Sequence, residues 1–115
     1  MAKFNIIQLS EFDTTQKIIE SLSNVCTRAV LFSILDASKD ATMIADEIKI
    51  SLSTVYKSLS VLEDLTLVEI NKFVISPEGK KIKQYRSRIS KVEITLDGHE
   101  PVLNLYPNTK PARSL

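Results

Sequence analysis

Residues 41–65, ATMIADEIKISLSTVYKSLSVLEDL, constrain the fold more than any other part of the chain. The hydrophobic periodicity predicts two helices, over about 42–49 and 52–65, separated only by a turn at residues 49–51. Two helices joined by so short a turn are typical of a helix-turn-helix, whose second helix can enter the major groove of DNA. The segment therefore favours a DNA-binding motif near the middle of the chain.

The second of these helices has two chemically different sides. Advancing about 100° per residue puts Val55, Leu59 and Leu62 on one side. Burial of each contributes roughly 1.5–3 kcal/mol, so this side is expected to face the core. Ser51 is predicted to cap the helix. The opposite side carries a polar stripe, which is expected to face outward: Ser53, Tyr56, Lys57 and Ser60. An ordinary surface helix with a solvated face would show the same pattern.

Length and composition limit the class of protein. A chain of 115 residues, 43% of them hydrophobic, predicts one globular domain with a modest core. No apolar run approaches the roughly 20 residues of a membrane helix, and the N-terminal residues lack a secretory signal pattern. The single cysteine excludes an internal disulfide and favours a reducing compartment. We therefore predict a cytoplasmic, nucleoid-associated protein with no membrane partner.

The charge is distributed unevenly. Formal net charge is only +1, but residues 51–91 hold eight basic and four acidic groups, whereas residues 1–50 hold five and seven. Such asymmetry is typical of a face that binds a polyanion. A basic strand that keeps a sheet edge from aggregating would also explain it. Within residues 80–91 there are six basic side chains and no acid: Lys80, Lys81, Lys83, Arg86, Arg88 and Lys91.

The patterns in the remaining segments predict an α+β fold that is mostly helical. Two earlier helices are expected, over about 14–24 with Asp13 as the N-cap and over about 25–37. A strand over 67–75, a turn at 76–79 and a second strand from about 82 to 96, kinked near Ser90, would form a β-hairpin wing. Four helices followed by such a wing form a winged helix-turn-helix. We predict a leader at 1–10, this domain at 11–98, and an extended or disordered tail at 99–115.

Several stretches resemble the arsenical-resistance-repressor (ArsR) type of winged-helix transcription factor, particularly its small archaeal-looking members. The resemblance covers about residues 14–96, with loose patterns that agree in order and spacing. It implies specific binding of duplex DNA by a homodimer, usually to repress transcription. The stretches that carry it are Asn24 to Arg28 with the apolar helix after it, Ile44-Ala45, Ile50-Ser51, Ser53 to Lys57, Leu62-Glu63, Leu67-Val68, Gly79-Lys80-Lys81 and Tyr85.

The chain departs from the ArsR pattern at three places. The family commonly has glycine where this chain has Lys49 and Thr66, each at a helix exit. A left-handed conformation at either position would cost roughly 1 kcal/mol without glycine. The family's metal sensors carry cysteine pairs or histidine and aspartate ligands, but this chain has a single cysteine, Cys26, and a single histidine, His99. We therefore do not extend the family's metal sensing to this chain, and no metal or other cofactor is predicted.

The candidate contacts to DNA come from the fourth helix and the wing. Lys57 is expected to donate to guanine or to a phosphate, and Tyr56 to contact a phosphate or a thymine methyl group. The lysines and arginines of the wing are expected to follow the phosphate backbone or a minor groove. The full predicted set is Ser53, Thr54, Tyr56, Lys57, Ser60, Lys80, Lys81, Lys83, Arg86 and Arg88. No catalytic motif is present, so we predict that the chain is not an enzyme.

The predicted function is a DNA-binding transcriptional regulator, a repressor by the family resemblance. Its predicted partners are double-stranded DNA and a second copy, contacted through the helices at 14–24 and 25–37, with the tail as a further candidate contact; no effector is assigned. Two alternatives remain open at this point. One is a winged-helix adaptor that binds proteins, and the other is a non-specific architectural DNA-binding protein, because a fold alone does not define function.

Overall fold

Four helices and two small antiparallel β-sheets make up the computed structural model, which describes residues 7–9 and 12–113, with side chains described from residue 14 onward. The element order is β1 (Ile7–Leu9), α1 (Phe12–Ser23), α2 (Val25–Ser33), α3 (Ala41–Ile48), α4 (Leu52–Asp64), β2 (Val68–Ile75), β3 (Lys81–Ser87), β4 (Ile89–Leu96) and β5 (Pro101–Pro107). This arrangement is α+β and is compatible with a winged helix.

The hydrophobic core lies between the helices and the strands that follow them. The predicted inner side of α4 is confirmed, since Val55, Leu59 and Leu62 are all buried. They join Ile44 of α3 and Ile18 of α1 in one cluster. The opposite side of α4 is thereby directed outward, as amphipathic periodicity requires.

The helix ends differ in detail from the sequence prediction. Helix α1 begins at Phe12, so Asp13 lies inside the first turn and is not the N-cap. Helix α3 begins at Ala41, and the Asp40 side chain caps it by accepting from the Met43 amide at 2.9 Å. The predicted cap on α4 is confirmed, because Ser51 Oγ accepts from the Thr54 amide at 3.2 Å.

Helix α2 ends at Ser33, earlier than the predicted residue 37, because later strands and the tail supply partners for its final carbonyls. The Ser87 amide donates to the Ile34 carbonyl at 3.0 Å. Arg86 and the Asn108 side chain both donate to the Leu35 carbonyl. A cation and two amide groups at a helix C-terminus satisfy the carbonyls that the helix itself leaves unpaired.

The hairpin, which we define as β2, β3 and the turn between them, forms a two-stranded sheet. Its register runs from Val68 opposite Ser87 to Ile75 opposite Lys81. At the turn, the Gly79 amide donates to the Ser76 carbonyl at 2.9 Å, and Gly79 has φ of +84°. A positive φ is readily available to glycine, so the predicted turn at 76–79 is present as expected.

The predicted long second strand is divided between two sheets. Residues 81–87 belong to the hairpin as β3, whereas residues 89–96 form β4 in a separate sheet of order β1-β5-β4. The change of direction occurs at Arg88, where Ser87 Oγ accepts from the Ile89 amide at 3.1 Å and donates to the Ile89 carbonyl at 2.7 Å. This local bonding turns the chain out of the first sheet.

The three-stranded sheet uses both ends of the chain. The segment predicted as an extended or disordered tail contributes β5, the middle strand, with Leu103 and Leu105 buried in the core. Part of the predicted leader contributes β1, with Ile7 opposite Leu105. The fold therefore holds more strand than a mostly helical domain with a single hairpin. None of the helices in the described ranges is long and apolar enough to cross a membrane.

Candidate nucleic-acid interface

The polar ridge of α4, defined as Ser53, Tyr56, Lys57 and Ser60, is exposed along its whole length. Tyr56 retains 54% of its accessible surface, and its ring is thus available to a partner. The neighbouring candidate Thr54 is only half-buried, but its hydroxyl lies 2.8 Å from Ser51 Oγ within the helix cap. Thr54 therefore has less freedom to contact a ligand than the four ridge residues.

The lysines of the hairpin form the second part of the site. Lys80, Lys81 and Lys83 are all exposed, at the turn and at the first half of β3. Lys81 Nζ lies 5.0 Å from the centre of the Phe73 ring on the facing strand. A cation over an aromatic ring is held in place without losing its charge, so Lys81 remains available to an anion.

A groove of about 720 Å³ joins these two parts. Tyr56 lines it from α4, while Lys81 and Lys83 line it from β3, and residues 76–78 contribute the hairpin turn. One residue of the ridge, Tyr56, and two lysines of the hairpin therefore meet on one concave surface. The arrangement could receive a rod-like polyanion, with a helix face on one side and exposed ammonium groups on the other.

The third wall of the groove is acidic. Asp40, the N-cap of α3, and Asp46, within α3, line it, and Glu78 lies in the hairpin turn. The Asp40 carboxylate is engaged in capping α3, and Glu47, further along the same helix, pairs with Lys39 at 2.7 Å. The basic residues that line the groove, Lys81 and Lys83, both lie on β3, so a polyanion would contact the β3 wall rather than α3.

The hairpin is attached to the helices at the base of the groove. Lys39, in the loop before α3, exchanges two backbone hydrogen bonds with Tyr85, at 3.1 and 2.8 Å. Tyr85 is buried, and burial, followed by the charges of Glu63 and the Tyr56 hydroxyl, raises its pKa above the ordinary value. Tyr85 belongs to the core cluster and attaches β3 to the loop before α3.

Arg86 does not belong to the exposed site, which corrects the sequence prediction. Its side chain is 7% exposed, and its guanidinium donates to the Leu35 carbonyl at 3.1 and 2.9 Å and to the Lys110 carbonyl at 2.8 Å. The planar, multi-donor guanidinium is suited to binding several carbonyls at once. Arg86 thus connects the end of α2 to the tail, and its burial keeps it out of the exposed site.

Arg88 is exposed but separated from the lysines of the hairpin turn. Its amide donates to the Leu67 carbonyl at 2.9 Å, and its Nη1 lies 3.4 Å from the Thr66 carbonyl, just after α4. Leu67 and Arg88 lie at the base of the hairpin, beyond the Val68–Ser87 pair that closes the ladder. Arg88 can therefore contact an anion only near the C-terminal end of α4.

The alternation of β3 did not reveal the position of Arg86, because both faces of this strand are covered. Gln84, Tyr85, Arg86 and Ser87 are all buried, whereas an exposed hairpin would bury only alternate residues. The covering group on the second face is the tail, and residues 99–115 offered no periodic signal to predict its position.

The described residues contain no group of three or more histidine, cysteine, aspartate or glutamate side chains that could hold a metal ion. Cys26 is partly buried on α2, and His99 is exposed in the turn before β5. Neither a scan against models of known protein families nor a search of curated proteins finds a match to this chain. Function is therefore inferred from the site itself.

Proposed function

We propose that this protein is a winged-helix regulator that binds duplex DNA at specific sites as a homodimer. The observation that carries the proposal is the common groove, which is lined by Tyr56 of the polar ridge and by Lys81 and Lys83 of the hairpin. In the proposed complex, α4 enters the major groove, which is wide enough to admit a helix. The hairpin then contacts the flanking phosphate backbone, which supplies affinity without reading sequence.

The ridge residues have side chains suited to contacts at base edges. Lys57 donates to guanine O6 and N7 or to a phosphate, and Tyr56 reaches a phosphate or a thymine methyl group. Ser53 and Ser60 are short enough to allow close approach of the helix. Two such helices, related by a two-fold axis, would read half-sites about 34–36 Å apart. Repression belongs to this proposal through the family resemblance, and a nucleoid-associated location belongs to it through the proposed DNA binding.

Selection of bound duplexes from a random pool tests the proposal directly. A homodimeric regulator is expected to enrich a pseudo-palindrome and to bind it roughly a thousandfold or more tightly than unrelated duplex. A pool that yields no preferred sequence despite tight binding would favour a non-specific architectural protein. Failure to retain duplex DNA at physiological salt would favour a protein-binding adaptor.

Salt dependence provides an independent measurement. Lys57, Lys80, Lys81 and Lys83 offer four exposed cations in each subunit. About four phosphate contacts per subunit would give a log–log salt slope near −7 for a dimer. Duplex affinity that hardly changes between about 50 and 200 mM salt would contradict phosphate binding.

Lys57 can be tested for a role in sequence readout. We expect Lys57→Ala to reduce the discrimination between the selected site and a mutated site by about 1–3 kcal/mol, more than it reduces binding to unrelated duplex. Lys17→Ala is the matched control, because Lys17 is an exposed lysine of α1 and belongs neither to the polar ridge nor to the hairpin. Titration of labelled duplexes by fluorescence anisotropy measures both quantities. An unchanged site preference would remove Lys57 from the readout.

A further inference from the structure

The free edge of the three-stranded sheet is the most distinctive surface outside the proposed DNA site. Strand β4 pairs with β5 on one side, and no strand within residues 7–9 and 12–113 pairs with its other side. An open edge presents unpaired backbone N–H and C=O groups and is a ready template for another strand. Proteins usually protect such an edge with charges, prolines or a covering element.

Apolar side chains are exposed along this strand. Ile94 is 45% exposed and Leu96 is 78% exposed. Both nevertheless lie on the inner face of the sheet, where the β5 residues opposite them belong to the core or lie at its border. A groove of about 290 Å³ lies between this face and the helices, and Val92, Ile94 and Phe32 of α2 line it. The inner face of the sheet therefore extends beyond the helices that cover its middle strand.

The charged side chains on the outer face of β4 are complementary to those of a second, antiparallel copy of the same strand. Lys91 Nζ lies 3.3 Å from Glu93 Oε2, and the two side chains flank Val92. In an antiparallel pairing of β4 with a second β4, centred on Val92, each Lys91 lies opposite the partner's Glu93. Two opposite-charge pairs form by symmetry, and no like charges face each other within the paired residues.

We propose that β4 is the homodimer contact, and that two copies pair edge to edge to form one six-stranded antiparallel sheet. The inference rests on the homodimer of the proposed function and gives it a contact surface different from that predicted by sequence, which used α1 and α2. The two grooves beside β4 come together at the axis, where Val92, Ile94 and Phe32 lose solvent contact. A two-fold interface is isologous, and this strand meets its requirement for self-complementarity.

A β4 contact leaves the DNA-binding surface available. The hairpin packs against α3 and α4, whereas the three-stranded sheet packs against α1. Pairing at β4 therefore does not require contact with the polar ridge or with the lysines at the hairpin turn. A dimer of this kind carries two copies of the proposed recognition helix in symmetric positions.

A charge-reversal experiment tests the inference in the absence of DNA. The wild type is expected to sediment at about 26 kDa at micromolar concentration, twice the 12.9 kDa of one chain. In a dimer of Lys91→Glu, residues 91 and 93 of the two copies place four acids at the axis, and in a dimer of Glu93→Lys they place four bases there. Each variant alone is therefore expected to dimerise about tenfold more weakly or worse. An equimolar mixture of the two restores attractive pairs and is expected to recover the dimer. Recovery on mixing cannot come from variants that fail to fold.

Two controls separate this contact from the alternatives. Lys72→Glu reverses a charge on exposed β2 and should leave the dimer unchanged. Val25→Asp places a charge on the exposed side of α2, outside the groove beside β4. A monomeric wild type, a mixture that stays monomeric, or a dimer disrupted by Val25→Asp but not by the β4 variants would each overturn the inference. Because sedimentation requires no DNA, these outcomes are distinct from failure to bind a duplex.

Discussion

Arg86 and Arg88 lie two positions apart but differ in burial and in hydrogen bonding. The Arg86 guanidinium is buried and donates three hydrogen bonds to backbone carbonyls of the α2 end and the tail. The Arg88 side chain is exposed, with one long contact to the Thr66 carbonyl. A buried cation is tolerated only where its donors are satisfied, and here the carbonyls left free at a helix C-terminus satisfy them.

The two arginines provide a matched pair for a stability measurement. We expect Arg86→Ala to lower the free energy of unfolding by about 2–4 kcal/mol, because it removes charge-assisted bonds and leaves buried carbonyls unpaired. Arg88→Ala should change it by no more than about 0.5 kcal/mol. Urea denaturation followed by circular dichroism gives both values. Equal effects for the two substitutions would contradict the buried network.

Glu93 and Tyr106 are coupled on the outer face of the sheet. The Tyr106 hydroxyl donates to Glu93 Oε1 at 2.6 Å, and this bond is the main reason that the pKa of Glu93 is lowered, with Lys91 adding to it. The same bond raises the pKa of Tyr106. The stabilising effect of this hydrogen bond is present above the ordinary pKa of glutamate and is lost as pH falls through the lowered pKa of Glu93. At the alkaline end it is lost as pH rises through the raised pKa of Tyr106.

Removing the hydroxyl should shift the glutamate titration. In Tyr106→Phe we expect the pKa of Glu93 to rise toward its ordinary value, with the contribution of Lys91 remaining. An NMR titration of the Glu93 carboxyl carbon measures the shift. Tyr56→Phe serves as the control, because Tyr56 lies on α4 and makes no bond to Glu93. The same pKa in wild type and Tyr106→Phe would show that the hydroxyl does not set it.

At the scale of the element, the exits of α3 and α4 adopt a left-handed backbone without glycine. Lys49 has φ of 62° and Thr66 has φ of 58°. Each ends its helix abruptly, so that the next element begins within three residues. Threonine is poorly suited to this region because its branched side chain crowds the backbone. The short turns of this fold are therefore maintained at a conformational cost.

That cost predicts a stabilising substitution. We expect Thr66→Gly to raise the free energy of unfolding by about 0.5–1 kcal/mol, since glycine relieves the left-handed strain but loses more backbone entropy on folding. Thr66→Ala keeps a Cβ and should not give the same gain. Thermal and urea denaturation of the three proteins compare them. A Thr66→Gly variant less stable than the wild type would show that the threonine side chain contributes more than its backbone strain costs.

At the scale of the whole molecule, the C-terminal segment is part of the core structure. Strand β5 lies between β1 and β4, and it buries Leu103 and Leu105. Further along, Asn108 donates to the Leu35 carbonyl at 2.9 Å and to the Ser87 carbonyl at 3.0 Å. The segment therefore connects the sheet to the end of α2 and to the base of the hairpin.

Truncation tests this architecture. Removal of residues 99–115 is expected to cost at least about 3–6 kcal/mol from the two leucines alone, at roughly 1.5–3 kcal/mol each, which approaches the total stability of a small domain. Removal of residues 111–115 keeps β5 and the Lys110 carbonyl that accepts from Arg86. It removes the bond from the Arg113 amide to the Asp36 carbonyl, worth about 1 kcal/mol. If the longer truncation unfolds no more easily than the shorter one, β5 is not integral to the fold.

Sequence alone predicted the features that depend on neighbouring residues. The two sides of α4, its Ser51 cap and the turn at Gly79 follow from helical periodicity and from local hydrogen bonding, and the structure confirms them. The exposure of the polar ridge follows for the same reason, since burial of one side of a helix leaves the other outward. These features require no knowledge of distant parts of the chain.

Only the tertiary structure decided which basic residues are available and where the tail lies. Arg86 and Lys83 are both basic residues of β3, yet one is buried beneath the tail and the other lines the groove. The difference depends on contacts such as that between Arg86 and the Lys110 carbonyl, which lie far apart in sequence. Such contacts form because strands and helix ends require partners wherever the fold brings them together, and no local pattern encodes that choice.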